Sequence, residues 1–294
     1  MERETNPGDS VSNVGKAMKR SLERKNMRRT IPFTAFLALA VAIVSCSPGP
    51  MPVGEIEIQY AARGPLETSH ASIPGYELYY PAAMLEGEHP IITWGNGTFA
   101  IPIIYQGLLD HFASYGFVVI ASTSTMTGSG EEMLGGADWL VDESYRGDSV
   151  FFNKIDVDHV GATGHSQGGG GTINAGTDPR ITCTAPIQPT PGRVADLQGP
   201  TFLIAGSEDS IVPEPWVTAS TYDPALVPTI YGIARGASHL EPLTDAGMMR
   251  GYLTAWFCAE LLGHEDARTA FFGDGESCEI CNNDNWVVMR KNLQ

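Results

Sequence analysis

The chain has 294 residues, 43% of them hydrophobic and 18% charged, enough to bury one large core, and nothing in it marks a second domain. Its 34 Asp and Glu against 18 Lys and Arg give a formal charge of −16. That balance excludes nucleic acid and anionic polymers as partners, because both would be repelled at long range.

In chain order, the first element is a leader. A basic stretch from Lys16 to Arg29 precedes an apolar run from Ile31 to Val44, a length that suits a signal peptide and is too short for a membrane-spanning helix. Residues 1–45 are therefore read as a signal peptide. The run ends Ile43-Val-Ser-Cys46, which resembles the lipobox of bacterial lipoproteins, so a lipid anchor on Cys46 is expected. The reading is of an exported protein: an outer-membrane lipoprotein with that anchor, a secreted or periplasmic one without it. Residues 46–52, with prolines at 48, 50 and 52, read as a tether, and 53–294 as one domain, expected to be a monomer. Residues 1–45 hold eight of the Lys and Arg and four of the Asp and Glu. The remainder thus has ten basic and 30 acidic residues and a formal charge of −20.

Two antiparallel strands are expected first in the domain, Ile56 to Tyr60 and Glu77 to Tyr80. Strand and helix patterns then alternate, the mark of βαβ units around a mostly parallel sheet. Strands are predicted at Ile91–Trp94, Phe117–Ala121, His159–Thr163, Ile181–Ile187, Phe202–Ala205 and Thr229–Ile233. Helices are predicted near Tyr105–Tyr115, Glu131–Glu143, Gly168–Ala175 and Met248–Leu262. The last carries Met249, Leu253, Trp256, Phe257 and Leu261 at helical spacing, an apolar face for the sheet.

Gly164-His-Ser-Gln-Gly168 falls where a buried strand passes into a helix, the context that turns G-x-S-x-G from a common pattern into a nucleophile elbow. Two later strands deliver Asp209 and His239 at their C-terminal ends, in the chain order Ser, Asp, His. A serine hydroxyl is a poor nucleophile at neutral pH. It needs a base to take its proton and a carboxylate to hold that base in the right tautomer. Ser166 is thus the candidate nucleophile rather than a plain helix cap, His239 the base, and Asp209 the orienting acid, with Glu208 its close rival. His111, His159 and His264 read as structural or exposed, and His165 as pocket lining that points away from the nucleophile. The intermediate's oxyanion needs preorganised donors. One is the backbone N–H of Gln167; the other comes from the loop Trp94-Gly-Asn-Gly-Thr-Phe99, at Thr98 or Gly97, with Phe99 beside substrate.

Apart from Cys46, the domain has Cys183, Cys258, Cys278 and Cys281, an even number that permits two disulfides in an exported chain. The pair Cys278-Glu-Ile-Cys281 has no second C-x-x-C to complete a zinc site, and reads as a bridge in the tail.

From about Pro90 to Phe272 the chain resembles the bacterial cutinase and poly(ethylene terephthalate) hydrolase branch of the α/β-hydrolases. The resemblance is carried by Ser114-Tyr-Gly-Phe-Val-Val119, Lys154-Ile-Asp156, Gly164-His-Ser-Gln-Gly-Gly-Gly-Gly171, Asp209-Ser-Ile-Val-Pro213 and Gly236-Ala-Ser-His239. It implies an α/β-hydrolase fold and ester hydrolysis through an acyl-enzyme, with no metal or organic cofactor in the chemical step. Two departures bear on substrate. In Ala185-Pro-Ile-Gln-Pro-Thr190, Thr190 stands where the family has a tryptophan, and Gly97 or its neighbour replaces the family's aromatic oxyanion residue. Each lost ring removes a stacking contact worth about 0.5–1.5 kcal/mol beyond its area, which disfavours terephthalate and leaves aliphatic or small acyl esters. The competing readings are an amidase or peptidase on the same triad and a non-catalytic surface lipoprotein.

Overall fold

The computed structural model describes residues 53–84 and 87–293. In chain order these form helix α1 (Glu55–Ala61), strands β1 (Thr68–Ile73), β2 (Tyr76–Pro81) and β3 (His89–Gly95), then α2 (Gln106–Ser114), β4 (Val118–Ser122), α3 (Glu131–Tyr145), β5 (Ile155–His165) and α4 (Gln167–Ala175). After these come β6 (Ile181–Ile187), β7 (Thr201–Gly206), α5 (Glu214–Val217), β8 (Thr229–Ala234), α6 (Arg250–Leu261), α7 (Glu265–Thr269) and β9 (Trp286–Lys291). The strands make one sheet in the order β1-β2-β4-β3-β5-β6-β7-β8-β9. Strands β3 to β8 run parallel; β1, β2 and β9 close the two ends antiparallel. This is the α/β-hydrolase plan that the resemblance implies.

Both faces of the central strands are covered, which is why they read as continuous apolar runs. Along β4, Val119 and Ala121 face the cluster built with α2 and α6, whereas Val118 and Ile120 face the cluster built with α3. Helix α6 buries Leu253, Trp256, Phe257 and Leu261, as its apolar spacing predicts. Strand β3 is followed in the chain by β4 on one side and in the sheet by β5 on the other. The chain therefore reverses its winding between β3 and β5, and the C-terminal ends of strands at such a switch point are where open α/β sheets place their ligands.

The first predicted strand needs correction: Ile56–Tyr60 lies in α1. The alternation of Ile56 and Ile58 suggested a strand, yet Ile58 is 52% exposed and the buried pair is Glu57 and Tyr60 at helical spacing. Distant polar groups fix this choice. Glu279 accepts the N–H groups of Ile56 and Glu57 at the helix start, and Glu57 accepts from the Trp286 indole and the Asn283 amide. The strand that pairs antiparallel with the outer side of β2 is β1, and β4 pairs antiparallel with its inner side.

One disulfide joins Cys278 to Cys281. Of the two that the cysteine count permits, the second does not form: Cys183 and Cys258 are free and buried, and burial holds both thiols well above their ordinary pKa. The signal peptide, the lipobox at Cys46 and the tether lie outside the described residues. Among the described residues no helix is long and apolar enough to cross a membrane.

Candidate active site

Strand β5 ends at His165, and the next residue turns through φ 57°, ψ −115°. That conformation is strained for any residue with a Cβ and is held from three sides. The Ser166 N–H donates to the Ile187 carbonyl at 2.9 Å, and its carbonyl accepts from Gly170 at 3.1 Å and Thr190 at 3.0 Å. Helix α4 can start so close to the sheet because residue 168 has no side chain. A Cβ on Gly168 would sit 2.1 Å from the Gly95 carbonyl oxygen.

The three strand-end residues meet over this turn. Ser166 Oγ lies 2.9 Å from His239 Nε2, and His239 Nδ1 lies 2.6 Å from Asp209 Oδ2. The other oxygen of Asp209 accepts the N–H groups of Ile211 and Val212, each at 2.8 Å. Burial alone would raise the Asp209 pKa. The hydrogen bond from His239 and the two backbone N–H groups outweigh it, and the carboxyl stays below its ordinary value. An ionised Asp209 fixes the proton of neutral His239 on Nδ1 and leaves Nε2 as the acceptor for the serine hydroxyl.

The loop after β3 is braced by buried Asn96, whose amide donates to the carbonyls of Ser122 and Ser124 and whose Oδ1 accepts from the Trp94 indole. Within this loop Gly97 donates its N–H to the Tyr105 hydroxyl at 3.2 Å, and Phe99 donates to the Thr125 carbonyl at 3.1 Å. Gly97, one of the two oxyanion candidates, is thus already engaged. Among the described residues the Thr98 N–H has no hydrogen-bond acceptor, and neither has that of Gln167 at the first turn of α4, where helix amides have no partner inside the helix.

Comparison with known proteins gives the family. Residues 44–282 match the family described as PETase, PET hydrolase-like. The chain belongs to the PET hydrolase-like family. Among its relatives is the bis(hydroxyethyl) terephthalate hydrolase of Streptomyces coelicolor, 27% identical, with 71% of each chain covered. Cutinase 1 of Thermobifida cellulosilytica is 27% identical over 73% of this chain and 81% of its own. Cutinase cut1 of Thermobifida fusca is 24% identical over 85% of this chain and 86% of its own.

Three other expected site residues take these places in this PET hydrolase-like protein. His165, expected to line the pocket, is 3% exposed and packs its ring 4.6 Å from that of His239, centroid to centroid, with Nδ1 on the Tyr105 hydroxyl at 3.0 Å. It is a buried neighbour of the base because β5 carries it into the sheet before the turn begins. Thr190 is half-buried and supports the elbow through its N–H, while Phe99 projects into solvent, 74% exposed, from a left-handed backbone conformation. Of the remaining histidines, His111 sits in α2, His159 pairs with Asp156, and His264 precedes α7. Sequence reasoning missed Tyr105 and Gln188. Tyr105 lies in an apolar run and reads as core; buried Gln188 stands between Ile187 and Pro189, and a lone amide between apolar residues was its only signal.

Proposed function

We propose that the protein is a serine-dependent carboxylic ester hydrolase that works through an acyl-enzyme. The single observation that carries this reading is the unbroken line from Asp209 through His239 to a serine held on a strained turn at the sheet's switch point. Ser166 Oγ attacks the ester carbonyl as His239 Nε2 takes its proton. The N–H groups of Gln167 and Thr98 receive the oxyanion, and His239 then hands the proton to the departing alkoxide oxygen. A water molecule repeats the sequence on the acyl-enzyme, with His239 again as base.

The substrate is read as an apolar ester. Exposed Phe99, Ile103, Met126, Ile211, Trp216 and Leu240 stand on the connections that follow the C-terminal ends of β3, β4, β7 and β8, Trp216 within α5, at the edge of the sheet that carries Ser166. The named activities of the relatives, cutinases and a bis(hydroxyethyl) terephthalate hydrolase, support esters over amides. Threonine at 190 favours aliphatic chains over aromatic diacids. Export belongs to the same reading, since a disulfide persists outside a reducing cytosol and the leader has the form of a signal peptide.

Purified wild type is expected to hydrolyse p-nitrophenyl butyrate and to react with a fluorophosphonate at Ser166. In Ser166→Ala both are lost, with kcat reduced by about 10⁴-fold or more. Wild-type turnover in that variant, or faster cleavage of a matched anilide than of the ester, would remove the proposal.

A further inference from the structure

We propose that Tyr105, His165 and Gln188 form a buried, uncharged relay that ties the oxyanion loop to the loop of the catalytic base, with Tyr105 and Gln188 as positioning residues at its two ends. The inference rests on the triad reading above and extends it to side chains that touch neither substrate nor the reacting atoms.

The direction of each hydrogen bond follows from what its atoms have to give. The Gly97 N–H is a donor, so the Tyr105 oxygen accepts it. Tyr105 keeps its own proton, because burial pushes its pKa up to about 12, and that proton goes to His165 Nδ1. The opposite arrangement would bring two donors to the phenol oxygen and leave its hydrogen without an acceptor. His165 therefore carries its proton on Nε2. Burial and then the neighbouring His239 hold its pKa down to about 3, so the ring is neutral throughout the working range.

The Nε2 edge leads to Gln188. The His239 backbone and the Gln188 side chain both lie close enough to favour a proton on the ring, and His165 Nε2 and Gln188 Oε1 are a buried donor and a buried acceptor that each lack a hydrogen bond of their own among the described residues. At its far end the Gln188 amide donates to the Ser238 carbonyl at 2.8 Å, one residue before the base. Gln188 is itself held in a left-handed conformation, φ 45°, and donates its N–H to the Ile204 carbonyl at 2.7 Å. The relay thus grips the peptide that precedes the Thr98 donor and the peptide that precedes His239, with His165, the residue before Ser166, at its centre. Its neutrality has a use of its own. A charge on His165 would oppose the imidazolium that forms on His239, 4.6 Å away between ring centroids.

The test compares wild type, Tyr105→Phe, Gln188→Met and the double variant on p-nitrophenyl butyrate, with Ser166→Ala as the blank. Each single variant is expected to lose on the order of 10-fold to 100-fold in kcat with KM within about twofold, less than outright loss of an oxyanion donor. The double variant is expected to be no worse than the poorer single, because both changes break one relay. In ¹⁵N NMR of wild type the His165 ring should appear as the neutral Nε2–H form at pH 7, a readout that needs no variant to fold. Multiplicative losses in the double variant, folded single variants with wild-type kcat, or an Nδ1–H ring would each overturn the relay while the triad stands. A wild type inert to both ester and fluorophosphonate would overturn the triad reading, and the relay with it.

Discussion

At the scale of single residues, the fold combines a strained serine with buried groups kept in one charge state. His165 and His111 are both buried, and desolvation holds their pKa values down to about 3 and about 4. A histidine whose folded pKa lies below its ordinary value of about 6.5 is protonated first in the unfolded chain, so stability is full above that value and falls as pH drops toward the folded pKa. Between pH 6 and pH 5 Asp209, held below its ordinary value, stays ionised, and His165 and His111 each draw stability down as the pH falls. His165→Gln is expected to remove up to about 1.4 kcal/mol per pH unit from the acid-side loss of stability. Urea unfolding at a series of pH values measures this, and an unchanged slope would mean that the His165 ring is hydrated and free to protonate.

At the scale of elements, the junction of β5 and α4 depends on backbone meeting backbone. An alanine Cβ at position 168 would meet the Gly95 carbonyl at 2.1 Å and the Asn96 carbonyl at 2.6 Å, neither of which can rotate away. Gly168→Ala should therefore cost about 3 kcal/mol, the upper part of the range for overpacking, and should lower kcat further by displacing the loop that carries Thr98. A thermal melt matching that of wild type would show that α4 shifts without cost. The central strands and the elbow were legible because covering both faces demands apolar runs, and the turn demands glycines. Helix α1 was not, since its buried pair is Glu57 and Tyr60, and Asn283 and Trp286, which hold the Glu57 carboxylate, lie more than 200 residues away in the chain. Strand β1 escaped notice because Thr-Ser-His-Ala-Ser-Ile offers no clean alternation and is held by pairing with β2. Local pattern carries no record of such distant partners.

At the scale of the whole molecule, the order Ser, Asp, His pointed to the triad, because each of the three ends a strand of one parallel sheet and such strands share an edge. The brace beneath it was not legible, since Tyr105 and Gln188 come from segments whose approach only the folded sheet decides. The charge was readable from composition alone: residues 46–294 carry 30 acidic and ten basic groups. Such a surface repels an anionic ester during approach, over a distance set by the Debye length, about 30 Å at 0.01 M salt and about 3 Å at 1 M. The ratio of kcat/KM for a neutral ester to that for an equally long ester ending in a carboxylate should therefore be highest at low salt and should fall as salt is added. The change belongs to kcat/KM, because repulsion acts before the complex forms, and kcat should move little. A ratio that stays constant from low to high salt would place the discrimination in the apolar rim around Ser166, where burying a carboxylate is costly at any ionic strength.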